Sequence, residues 1–123
     1  MRGEKMAKYG EQSLVIWLNV QIMNRTAAIQ ARYRAQARII KALAHPTRLF
    51  ILDELSRGER CVQDLTDLIG VEMPTVSRHL SLLRNVGILA DEKRGAQVFY
   101  RVWTPCVLQV FDCVKAVQKS GRK

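Results

Sequence analysis

The run Cys61–Gly87, CVQDLTDLIGVEMPTVSRHLSLLRNVG, decides how the rest of the chain is read. Its spacing predicts two short amphipathic helices joined by a tight turn. Val62, Leu65, Leu68 and Ile69 recur at three- and four-residue intervals, one helical face. Gly70 follows as a C-terminal cap, since glycine takes the left-handed conformation at little cost. Pro74 sits just inside the second helix, where its fixed φ and missing N–H do no harm. Val76, Leu80 and Leu83 form that helix's inner stripe, and Gly87 ends it. Advancing by about 100° per residue puts Ser77, Arg78, Ser81 and Asn85 outside, with His79 roughly 60° off the core stripe. The outer face therefore carries hydroxyls and a guanidinium but no carboxylate. Such groups bond phosphate oxygens and base edges, which points to a helix laid in a DNA major groove. Thr75, Ser77, Arg78, His79 and Ser81 are its candidate contacts. An ordinary helical hairpin inside a bundle would share the apolar spacing, and His79 suits either a phosphate contact or a brace for the helix.

Beyond Gly87 the period changes. Val98, Tyr100 and Val102 alternate with Phe99 and Arg101, a strand signal. Lys93-Arg94-Gly95-Ala96 supplies a glycine turn between this strand and Ile88–Glu92. A hairpin directly after a reading helix, with cations at its tip, is a wing that reaches DNA beside the helix. Lys93, Arg94 and Gln97 are its candidate contacts, although hairpin tips are also charged merely for solubility.

Working outward, residues 1–10 read as a flexible N-terminus and residues 11–44 as N-terminal dimerisation helices. Leu14, Leu18, Ile22 and Ile29 share one stripe, and a break is expected around Asn24–Ala35. With Trp17 they exceed what one small core needs, so a second subunit is the expected cover. His45-Pro46 marks a boundary, because the residue before proline avoids the α region. Residues 45–103 form the DNA-binding domain, opened by a helix from Pro46 to about Ser56. Residues 104–123 form a C-terminal dimerisation helix striped by Val107, Val110, Phe111, Val114 and Val117. The expected fold is mainly α with a small β-hairpin wing, dimerising through its N- and C-terminal helices.

Composition narrows the function. A net charge of +9 suits a polyanionic partner, either nucleic acid or an acidic membrane surface. It is unevenly spread: residues 1–48 carry nine Lys/Arg against two Glu, residues 49–70 two against five acids, and the remainder nine against four. The most apolar run, Leu14–Met23, is broken by Asn19 and Gln21, too short and polar for a spanning helix of about 20 residues or for a signal peptide. Three cysteines do not make a secreted disulfide scaffold, and a reducing cytoplasm fits better. No paired acid and base, phosphate-cradling glycine loop or activated nucleophile is evident, which argues against an enzyme. A thiol enzyme using Cys61 would need a histidine beside it in space. A basic membrane-surface protein would bind regardless of sequence and release with salt.

Four segments together resemble the ArsR/SmtB winged helix-turn-helix repressors: His45-Pro46-Thr47-Arg48 with Ile51-Leu52, Cys61-Val62-Gln63-Asp64-Leu65, Pro74-Thr75-Val76-Ser77-Arg78-His79-Leu80, and Gly95 with Val98-Phe99-Tyr100-Arg101. The resemblance spans residues 39 to 102 and implies a homodimer on an imperfect palindromic operator. It implies release when a metal(loid) or oxidant alters the protein's thiols or other ligands. The arsenic-responsive branch is the nearest, and its helix carries Cys-Val-Cys-Asp-Leu-Cys. Here Gln63 and Thr66 replace two of those cysteines, so that three-thiolate site is absent. The branch that senses harder metals places Asp, His, His and Glu on the last helix, where this chain has only Asp112.

The candidate effector ligands are then Cys61, Cys106 and Cys113, soft thiolates suited to As(III) or another thiophilic ion and also open to oxidation or persulfidation. Cys61 and Cys106 fall at predicted helix N-termini, which favour thiolate. Cys106 and Cys113 stand about 10 Å apart along a helix, too far for a disulfide without unwinding near Pro105. A shared ion needs a third donor, from Cys61 or a partner subunit. Plain packing is the alternative, since cysteine is among the most buried residue types. DNA binding itself calls for no cofactor.

Overall fold

The computed structural model describes the backbone of residues 2–121 and the side chains of residues 12–121. In chain order the elements are α1 (Arg2–Leu43), α2 (Pro46–Leu55), β1 (Arg60–Cys61), α3 (Val62–Ile69), α4 (Met73–Asn85), β2 (Leu89–Arg94), β3 (Gln97–Val102), a 3-10 turn (Pro105–Leu108) and α5 (Gln109–Ser120). Two compact units divide between Ala37 and Arg38.

The first unit is α1 as far as Ala37. The expected break within 24–35 does not occur, and the helix begins at Arg2 instead of after a flexible 1–10. From Glu11 onward there is no Gly or Pro, and Ala27, Ala28, Ala31, Ala35 and Ala37 are strong helix formers. Leu14, Leu18, Ile22 and Ile29 stay 40%, 44%, 61% and 49% exposed, so the predicted stripe meets no core in this chain.

The second unit holds the core, and the last turn of α1 belongs to it through buried Ala42 and Leu43. Ile51, Leu52, Leu65, Val76, Leu80 and Leu83 are fully buried, each burial stabilising by about 1.5–3 kcal/mol. The α4 stripe is as the spacing predicts. In α3 only Leu65 is wholly buried, while Leu68 lies exposed on the rim, roughly 100° round from Ile69. Gly70, at φ +79°, ends α3 and donates its N–H to the Thr66 carbonyl at 2.9 Å. Three residues later α4 begins, with Pro74 in its first turn.

The sheet has three antiparallel strands in the order β1-β3-β2. Sequence predicts only the hairpin, because a two-residue strand has no period to read. β1 sets Arg60 opposite Tyr100 and Cys61 opposite Phe99. The hairpin turn is Gly95-Ala96 alone, with positive φ only at Gly95, the type II′ pattern. Lys93 and Arg94 therefore belong to the ladder, opposite Val98 and Gln97, and not to the turn. Pro105 opens a 3-10 turn, where a full helix was expected, with the Val107 N–H on the Thr104 carbonyl at 3.1 Å. On α5, Val110 and Phe111 are half-buried, while Val114 and Val117 are 48% and 72% exposed. Met1 and the end of the predicted 104–123 segment, residues 122–123, lie outside the described residues. Among the described residues no helix is long and apolar enough to cross a membrane.

Candidate nucleic-acid interface

Helix α4 begins without a side-chain cap: Glu72 precedes it but makes no capping bond, and no acidic side chain lies in its first turn. Thr75 and Ser77 are half-buried beside this end, and Arg78 is exposed. Among the described residues Arg78 makes no hydrogen bond or ion pair. Backbone donors and the helix dipole at such an end favour anions. A free guanidinium one turn further adds a fork suited to phosphate or guanine.

The other candidates on α4 turn inward. Ser81 is half-buried and is among the groups that influence the buried Tyr100 phenol. Burial, then the Asp91 carboxylate, pushes the Tyr100 pKa up, against the opposing effects of Arg84 and Ser81. His79 sits with Nδ1 at 3.2 Å from Arg48 Nη1, and its ring lies tilted 4.6 Å from the His45 ring. Burial first, then the fields of His45, Arg48 and Arg78, hold the His79 pKa below its ordinary value. Nδ1 of His79 is thus turned to Arg48 and its ring to His45.

Arg48 is the residue that sequence reasoning passed over. Its Nε donates to the Ala42 carbonyl at 2.6 Å and its Nη2 to the Lys41 carbonyl at 3.4 Å, both in the last turn of α1. The Ala42 carbonyl faces Pro46 four residues on, which has no N–H to give it, and the Lys41 carbonyl also accepts the Ala44 N–H at 3.1 Å; a cation is favourable at such a helix C-terminus. The available signal is a cation two residues after a helix-opening proline.

On the wing, two neighbouring cations differ. Arg94 Nη2 bonds Glu59 at 3.0 Å and Glu92 at 2.8 Å, and its guanidinium carbon lies 4.6 Å over the Phe99 ring. These carboxylates raise the Arg94 pKa, and Arg94 in turn lowers that of Glu59. Lys93 is exposed and makes no such contact among the described residues. Gln97 is exposed opposite Arg94. Arg84 is likewise taken, by Asp91 at 2.8 Å. Arg101 stacks over Trp103 with 5.0 Å to the ring centre.

The cysteines are not brought together as an ion site within one chain. Cys61 is buried, and its Sγ accepts the Asp64 N–H at 3.5 Å as the cap of α3. Cys106 in the 3-10 turn and Cys113 on α5 are exposed. Among the described residues no three His, Cys, Asp or Glu side chains gather closely enough to hold a metal ion. Gln63 bonds Asp67 at 2.9 Å and the Thr66 hydroxyl donates to the Val62 carbonyl at 2.8 Å, so neutral groups fill those two positions.

A family model described as "Bacterial regulatory protein, arsR family" matches residues 45–91. The chain is 38% identical over 68 residues to the HTH-type transcriptional repressor SmtB of Mycobacterium tuberculosis, covering 55% of this chain but only half of that repressor's length. It is 37% identical over 95 residues to the HTH-type transcriptional regulator NmtR of the same organism, covering 76% of this chain and 79% of that protein. A solution structure of a homodimeric winged helix-turn-helix DNA-binding domain from Mycobacterium bovis superposes with a TM-score of 0.65 at 32% identity, covering 76% of this chain and 86% of that one.

Proposed function

Because the chain belongs to the bacterial ArsR family of regulatory proteins, whose named relatives are transcription regulators and not enzymes, we propose that it is a repressor that reads a palindromic operator as a homodimer. The observation that carries this is the exposed Arg78 on an α4 with no acid in its first turn, next to a wing that carries Lys93, both without a partner among the described residues. In a symmetric dimer two such helices, one DNA turn or ~34 Å apart, enter successive major grooves. The exposed apolar side chains of α1 and of α5, Val114 and Val117 among them, supply the surface for the second copy.

The repressor is released when an effector modifies Cys106 and Cys113, the two exposed thiols. A thiophilic ion such as As(III) is one effector class, its remaining donor coming from the second subunit. Oxidation or persulfidation is the other, supported by the exposure of both thiols. Either way, the effector acts through its different affinity for the bound and released states.

A mobility shift on the upstream promoter duplex, titrated with As(III), Cd(II), Cu(I) and a persulfide donor, tests both halves. Sequence-preferring binding is expected, lost with one effector class. Cys106→Ser with Cys113→Ser should keep the shift and remove the response. A persistent response excludes both thiols, and binding that ignores sequence excludes the repressor.

A further inference from the structure

Arg48 stands where three elements meet. Its guanidinium bonds two carbonyls at the end of α1, its backbone is in the first turn of α2, and its Nη1 faces Nδ1 of His79 on α4. An arginine has only N–H donors, so the 3.2 Å contact requires His79 Nδ1 to accept and leaves the ring proton on Nε2. His45 supports the same arrangement from the other side. Its Nδ1 accepts the Thr47 N–H at 3.1 Å as the cap of α2, while its ring packs on that of His79. Arg48 has no carboxylate partner among the described residues, so its fork is committed to these neutral acceptors.

We propose that Arg48 is a positioning residue for DNA binding: through His79 it fixes α4 to the last turn of α1, so that the direction in which Arg78 meets DNA is set from the end of the N-terminal helix. This rests on the reading of α4 as the DNA-contacting helix. His79 is the next residue after Arg78, and a shift of its ring moves the backbone that carries the reading side chain. Lysine in place of Arg48 keeps the charge but offers a single ammonium, which does not span both the α1 carbonyls and His79. The low His79 pKa agrees with a neutral acceptor ring at neutral pH.

The test compares wild type, Arg48→Lys, His79→Leu, His79→Gln and the Arg48→Lys/His79→Leu double variant. The ligands are the promoter duplex and a scrambled duplex of equal length, both at fixed salt. Arg48→Lys should lose roughly tenfold or more in affinity for the promoter duplex, the scale of one charge-assisted hydrogen bond, with scrambled-duplex affinity unchanged. His79→Leu should lose as much, the double variant no more than either, and His79→Gln, which keeps an acceptor oxygen, should recover most of it. Nitrogen-15 NMR should find the His79 proton on Nε2 in wild type and a mixture of tautomers in Arg48→Lys. Additive losses, wild-type discrimination by Arg48→Lys, or an Nδ1–H tautomer in wild type would each overturn the proposal. Should His79→Leu not fold, the Arg48→Lys affinity and the tautomer measurement decide between these outcomes. Arg78→Ala serves as the reference: if it too binds normally, the reading of α4 has failed and not merely the role of Arg48.

Discussion

Replacing Arg78 by alanine should separate DNA recognition from folding more sharply than any other single change. The side chain is exposed and makes no hydrogen bond or ion pair among the described residues, so folding loses little. Surface changes of this kind stay within about 0.5 kcal/mol, or no more than about 3 °C in midpoint for a chain of this size. Binding loses much more. One bidentate arginine–guanine contact contributes about 1–3 kcal/mol of discrimination, so two in a dimer amount to about 2–6 kcal/mol, roughly 30-fold to 10⁴-fold in affinity. Fluorescence anisotropy on promoter and scrambled duplexes, each across a salt series, reads these quantities. If Arg78 reads bases, the preference for the promoter collapses while the salt slope hardly moves. If it meets phosphate, both duplexes weaken together and the slope falls by about 0.9 per subunit. Wild-type affinity for both duplexes would refute the docking of α4, and a midpoint lowered by many degrees would show Arg78 to be structural.

Three other outcomes follow from the same geometry. Lys93→Ala should lower the salt slope of DNA binding, whereas Arg94→Ala, already neutralised by Glu59 and Glu92, should barely change it while speeding hydrogen exchange at wing amides; the reverse order would put Arg94 on DNA. Gly70→Ala meets no atom within 4 Å of the added Cβ, so its cost is the positive φ alone, about 1–2 kcal/mol by urea unfolding, and an unchanged midpoint would mean that the turn re-forms. The folded His79 pKa lies below 6.5, so the unfolded chain binds the proton first: its contribution to stability is complete above about 6.5 and declines as pH falls from there toward the lower folded value. Urea midpoints across that interval should fall less in His79→Gln than in wild type, and parallel profiles would exclude His79 as the titrating group.

The parts of the fold that were readable in advance are those whose period is long enough to compute. Val76, Leu80 and Leu83 declare α4, the alternation from Val98 to Val102 declares β3, and Gly70 marks the turn between the two short helices. What escaped has no period or depends on contacts distant in sequence. β1 is two residues long and exists because β3 has a free edge. The first turn after Pro105 is 3-10 and not α, which no apolar spacing encodes. Continuity of α1 through 24–35 was missed because its basic, alanine-rich middle lacks an apolar stripe. Intrinsic propensity favours helix through that middle, where Ala27, Ala28, Ala31 and Ala35 are strong helix formers.

The candidate interface was legible as a face but not as an allocation of charge. An arginine looks the same in sequence whether it is free or already paired, and here the fold divides them. Arg84 is taken by Asp91, Arg94 by Glu59 across 35 residues, and Arg48 by carbonyls of the preceding helix, while Arg78 and Lys93 keep no partner among the described residues. Net charge therefore overstates the cations near α4 and the wing that are available to phosphate. The distinction has a mechanical side as well. The paired arginines link α4 to the wing, the wing to the segment before β1, and α2 to the end of α1, whereas Arg78 and Lys93 carry no such link among the described residues. An effector acting at the terminal helices, as proposed above, would reach the DNA face through contacts of this kind.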